Sequence, residues 1–212
     1  MVYKMNTVQQ KRNSRERLSR KDWIDAASQE FAVGGPAAVT VEMLARKMGV
    51  TKGSFYWHFK DRDELLTSVL AQWRDDATMS IIENIERQGG PHRQRLKILA
   101  DVVLQEVEPL ELGGRLELAF RNWARQDELA NNAVAAVDHL RLQYLTRHFA
   151  GLGLPHGRAV VHAHLYYSNM LGQLLNAGFT SKKEANVIRR RVIEHLLDDA
   201  EAEGAAHSAI NE

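Results

Sequence analysis

The 212-residue chain contains no cysteine. That excludes disulfide staples, thiolate nucleophiles and cysteine-ligated metal centres, and nothing argues for an oxidising compartment. Only four prolines appear, and no segment repeats itself or is of low complexity. No apolar run approaches the roughly 18 residues of a membrane helix, and the first residues lack the apolar centre of a secretory signal. A cytoplasmic location is the expectation. Net charge is also scarce, at +1, but it divides unevenly: residues 1–60 carry 11 Lys or Arg against 5 Asp or Glu, and residues 61–212 carry 17 against 22. A positive field confined to one end is what a nucleic-acid-facing region joined to a neutral or acidic one produces.

What is present centres on twenty residues, Val41 to Lys60, reading V-E-M-L-A-R-K-M-G-V-T-K-G-S-F-Y-W-H-F-K. Val41, Leu44, Ala45 and Met48 follow a helical period, with Thr40 placed to cap their first turn. Gly49 is suited to the left-handed conformation that ends a helix, and Ala45 is small enough for a close helix crossing. Thr51 starts a second helix whose Phe55 and Phe59 share a buried face. This is the grammar of a helix-turn-helix, whose second helix enters the major groove of DNA. The outward residues suit phosphate and base edges. Lys52 and Lys60 supply charge, Gly53 allows close backbone approach, Tyr56 and His58 fix position, Ser54 and Trp57 are the candidate base readers, and Thr40 and Thr51 assist at helix starts.

The run T-V-E-M-L-A-R-K-M-G-V-T-K-G-S-F-Y-W-H-F-K-D-R-D-E-L-L, Thr40 to Leu66, resembles the DNA-binding domain of the TetR family of bacterial transcriptional regulators. The close resemblance extends from near Arg20 to near Leu70, and the remainder is similar only in helical layout. The resemblance implies a homodimer that reads a palindromic operator, acts as a repressor and responds to a small-molecule effector in its C-terminal part.

Taken in order, residues 1–19 are polar and basic and are expected to be a disordered arm. Residues 20–75 form the three-helix DNA-binding domain, with a first helix from Arg20 to Val33 ended by Gly34, Gly35 and Pro36. Asp61 and Glu64 form a capping box for a long helix running to Gly89, about 27 residues and roughly 40 Å, whose length could join two domains mechanically. Residues 76–203 form the effector-binding and dimerisation domain, with helices near 91–108, 113–126, 128–150, 156–178 and 182–203 and a break at the Gly113-Gly114 pair. Residues 204–212 are expected to be a disordered tail. The fold class is all-α, a helix-turn-helix domain followed by a helical bundle.

From Val160 to Phe179 apolar residues surround the helix, so one side requires a partner. Tyr167, Leu171 and Leu174, with Ile188, Val192 and Leu196 on the last helix, are the candidate dimer face. Polar groups on core-forming helices mark a candidate effector pocket: Phe120, Arg121, Asn122, Trp123, His139, Tyr144, His162, Tyr166 and Asn169. No cofactor or metal is expected, since His162 and His164 point in different directions on a helix. The G-L-G-L-P-H-G run from Gly151 joins two helices and so fails as a dinucleotide loop. No catalytic constellation appears. A second reading is a helical dimer serving as a protein-binding or enzyme module, its helix-turn-helix vestigial.

Overall fold

The computed structural model describes residues 18–106, 112–175 and 181–210. All elements among them are helical: α1 (Arg20–Ala38), α2 (Val41–Met48), α3 (Lys52–Tyr56), α4 (Arg62–Arg74), α5 (Ser80–Gln88), α6 (His92–Glu106), α7 (Leu112–Ala124), α8 (Glu128–Ala150), α9 (His156–Leu175) and α10 (Lys182–Ile210). Residues 1–17 of the expected arm lie outside the described set. Ser19 closes a capping box with Asp22, which fixes the start of α1. Gly34 and Gly35 leave helical geometry, so α1 kinks where the glycine pair stands.

The helix expected from 62 to 88 is continuous, but it contains a π turn at Asp75–Met79 between α4 and α5, closed by the Ser80 amide on the Asp75 carbonyl. Its N-terminal cap also differs from expectation. Asp61 Oδ1 accepts the Glu64 amide at 2.9 Å, but Glu64 Oε2 reaches back to the Lys60 amide (2.8 Å) instead of to Asp61.

The boundary drawn at residue 75 does not divide the packing. Trp23, Phe31, Phe55, Leu65 and Trp73 belong to one continuous core with Leu116, Phe120, Val134 and Val137. Phe31 stacks on Phe120 at 4.4 Å, and Trp73 lies 4.8 Å from the same ring. The N-terminal head is therefore bolted to α7 by aromatic rings, contacts that add to their burial energy. A second core joins α6, α8, α9 and α10 around Leu96, Phe149, Tyr166 and Leu197.

Two further expectations are corrected. The Gly113-Gly114 pair lies inside the first turn of α7 and does not break the chain, Gly114 being buried. The tail expected from 204 is the continuation of α10 as far as Ile210, because Gly204 is packed against the joint between α8 and α9, where a Cβ would collide with the Leu152 carbonyl oxygen. Arg93 of α6 holds the same helix through Glu194 (2.7 Å), Asp198 (2.7 Å) and Glu201 (2.9 Å). No described helix is long and apolar enough to cross a membrane.

Candidate nucleic-acid interface and effector cavity

The head is stiffened before it presents anything outward. Thr40 Oγ1 accepts the Met43 amide at 3.2 Å, Gly49 ends α2 at φ 69°, and the Val50 amide returns to the Ala45 carbonyl at 2.9 Å. That return is the six-to-one bond of a Schellman motif, which fixes the turn into α3. On the inner side, Phe55 stacks on Phe59 and meets Trp23 edge-on, each at 5.3 Å. Arg20, which local sequence did not mark, finishes the clamp. Its Nη1 donates to the His58 carbonyl (2.5 Å) and Glu64 Oε1 (2.9 Å), its Nη2 to Ser68 Oγ (2.9 Å), and its guanidinium lies 4.1 Å above the Phe59 ring. Arg62 similarly ties α4 to the Val39 carbonyl at 2.7 Å.

The residues assigned to DNA are brought to one edge. Tyr56 and Trp57 are 61% and 79% exposed, Thr40, Thr51, Lys52, Gly53 and Lys60 are exposed, and Ser54 and His58 are half-buried. Two details change. The reading helix is shorter than the expected Thr51–His58, and Thr51 occupies its N-cap without a side-chain capping bond. Lys52 is paired: its Nζ lies 2.5 Å from Glu42 Oε1, with both side chains more than half exposed. The hydrogen bond from Lys52 holds the Glu42 carboxyl below its usual range, so a DNA phosphate taking Lys52 has a carboxylate to displace.

Residues 24–69, which contain most of this clamp and the whole reading helix, match the profile described as "Bacterial regulatory proteins, tetR family". That segment is a TetR-family DNA-binding region. It is 45% identical over 53 residues to the HTH-type transcriptional regulator SrpR of Pseudomonas putida, covering 25% of each chain. It is 40% identical over 65 residues to the uncharacterized HTH-type transcriptional regulator TtgW of the same species, covering 31% of this chain and 45% of that one. The chain thus spans under half the length of these curated relatives. Over the longer span the likeness is one of fold. SCO4454, a TetR-family regulator from Streptomyces coelicolor, superposes with a TM-score of 0.74 at 17% identity, covering 86% of this chain and 95% of that one. These similar proteins are named as regulators of transcription, not as enzymes.

Beyond its head, the chain forms a partly open cavity of about 750 Å³, counted out to open solvent, between the π turn, α5, α6, α7, α8, α9 and α10. Ile81, Leu99, Leu145 and Met170 supply much of its apolar wall. Of the nine candidate pocket residues, Tyr144 and Tyr166 line it. Phe120 and Trp123 do not; both pack against Phe31 in the core that joins head to bundle. Asn122 and His139 are exposed. His162 is buried among bonds to the Arg158 carbonyl (3.0 Å) and Asp199 (3.1 Å), and Asn169, whose amide nitrogen is buried without a hydrogen-bond partner, does not line the cavity.

Arg121 stands behind the wall in an ion cluster that sequence reasoning missed. At its centre is Glu117, 2% exposed, held by Arg121 Nε (2.8 Å) and Arg141 Nη1 (3.1 Å). Arg141 also donates to Thr78 Oγ1 (2.9 Å) and the Ala77 carbonyl (3.2 Å), both in the π turn. Tyr167 Oη donates to Asp138 at 2.5 Å and accepts from Arg121 at 2.8 Å, and burial pushes its hydroxyl up to about 12. Burial alone would lower Arg121, but Asp138 and Glu117 hold it above its ordinary value. A buried carboxylate persists only with such partners. The available sequence signal was a Glu117–Arg121 pair at i,i+4 on a largely apolar helix.

The candidate dimer face is corrected by the same geometry. Tyr167, Leu171 and Leu174 line the cavity, and Leu196 packs on the bundle core. Val192 is half-buried and Ile188 is 47% exposed. The outward apolar residues of α9 are instead Val161, Leu165 and Leu175, with Val187 beside Ile188 on α10. α9 carries apolar residues on more than one side, and the cavity takes the side assigned to a partner.

Proposed function

We propose that this chain is a DNA-binding repressor of transcription that acts as a homodimer on a near-palindromic operator and is controlled by a small effector held in the bundle cavity. The observation that carries the reading is the rigid presentation of Tyr56 and Trp57, exposed at the end of a helix locked from behind by Arg20 and flanked by Lys52 and Lys60. Large aromatics this exposed mark interaction surfaces, and the neighbouring lysines suit a phosphate backbone. Two copies joined through the outward face of α9 and α10 would set two reading helices about 34–36 Å apart, one turn of DNA. The cavity shares Ala77 and Thr78 with the helix that carries the head. A ligand that favours one arrangement of that wall shifts the spacing of the heads.

A gel-shift titration against genomic fragments tests the reading. Retention of a discrete fragment is expected, with Lys60→Ala lowering the salt slope by about one. No retention above the non-specific level at low salt would refute it, as would a strictly monomeric protein at micromolar concentration.

A further inference from the structure

The polar groups on the cavity wall are already committed to one another. Tyr144 Oη donates to Glu86 (3.0 Å), Tyr166 Oη to the Leu96 carbonyl (2.8 Å) and Tyr167 Oη to Asp138 (2.5 Å). Thr78 Oγ1 receives Arg141, and the Arg141 guanidinium is divided among Thr78, Ala77, Glu117 and Tyr167. Glu117 lies between two arginines. A cationic ligand seeking Glu117 would therefore have to break an existing buried pair, and an anionic one seeking Arg141 would have to do the same. Either would shed its hydration for partners already engaged. Among the described residues, the rest of the wall apart from Arg189 is aliphatic, from Ile81 and Ile82 through Leu145 to Met170 and Leu171.

We infer that the cavity takes an uncharged hydrophobic molecule, recognised by shape and apolar contact and not by ion pairing. This rests on the reading of the cavity as the effector site. Among the described lining residues the one further cation is Arg189, whose Nη2 donates to Asn186 Oδ1 at 3.1 Å. An anionic ligand would have to recruit it.

Two fluorescent probes with the same ring skeleton separate the classes: neutral N-phenyl-1-naphthylamine and 8-anilinonaphthalene-1-sulfonate, which adds a sulfonate. The intact protein is expected to bind the neutral probe at least about tenfold more tightly. Met170→Trp, which fills the cavity, should abolish that binding while the helical circular dichroism is kept, and Ile82→Trp at a half-buried position provides a second block. Equal or tighter binding of the sulfonate, lost in Arg189→Gln, would overturn the neutral class and leave the effector site standing. Binding of neither probe, or neutral binding untouched by both blocking variants, would overturn the class and the effector site together.

Discussion

Replacing Arg141 with methionine tests whether the buried ion cluster holds the π turn in place. Methionine keeps much of the aliphatic volume but leaves Glu117, with 3% of its side chain exposed, short of one of its two cations. Removing one member of a buried pair costs about 3–5 kcal/mol. Arg121 remains on Glu117 at 2.8 Å, which argues for the lower end, about 3 kcal/mol. For a chain of this size each kcal/mol moves the midpoint by about 2–4 °C, so Tm should fall by about 6–12 °C. Urea unfolding followed by far-ultraviolet circular dichroism, at one fixed protein concentration, measures the loss directly. Adding Glu117→Leu should recover at least about half of it, because the stranded carboxylate is removed with its partner. An Arg141→Met protein within about 0.5 kcal/mol of its parent would refute the reasoning. So would a double variant whose loss is the plain sum of the two single losses.

Glu42→Gln should tighten DNA binding and steepen the salt dependence by up to about 0.9, since Lys52 would meet a phosphate without first leaving a carboxylate; gel shifts across a salt series measure both. Phe120→Ala should cost about 3–5 kcal/mol, because its ring fills the space between Phe31 and Trp73; a variant that melts like its parent yet loses probe binding would return Phe120 to the cavity. His148 is lowered from 6.5 to about 4 by burial, with Arg147 and His92 adding to the effect. Its folded-state value lies below its unfolded one, so its contribution is complete above pH 6.5 and is lost as pH falls towards 4, at no more than about 1.4 kcal/mol per pH unit. Urea midpoints between pH 7.5 and 4.5 should show that decline, and His148→Gln should flatten it.

The head was legible because its determinants are local. The Thr40 cap, the Gly49 stop and the Phe55–Phe59 pair lie within a few residues of what they control. Arg20 was not legible as a clamp, since its partner carbonyl lies 38 positions away at His58. The cavity shows the same limit. Its polar frame depends on Arg141 meeting Glu117 from 24 positions away, and no periodicity reports such a pairing. Surveying core helices for polar residues found Tyr144 and Tyr166 but also gathered Asn122 and His139, which face water. On α9 the pattern could not choose a side, because Leu171 and Leu165 look alike until the other helices are placed.

The π turn also sets the rotational phase between the two halves of the chain. Two regular turns beyond Trp73 would fall at Ser80, and another at Asn84, presenting a hydroxyl and an amide to the interior. With one residue accommodated at Asp75–Met79, the buried positions become Ile81 and Ile85. Straightening that turn into ordinary α-helix with every residue kept would bring Ser80 and Asn84 inward and turn the reading head by about 100° relative to the bundle, enough to aim it away from the groove.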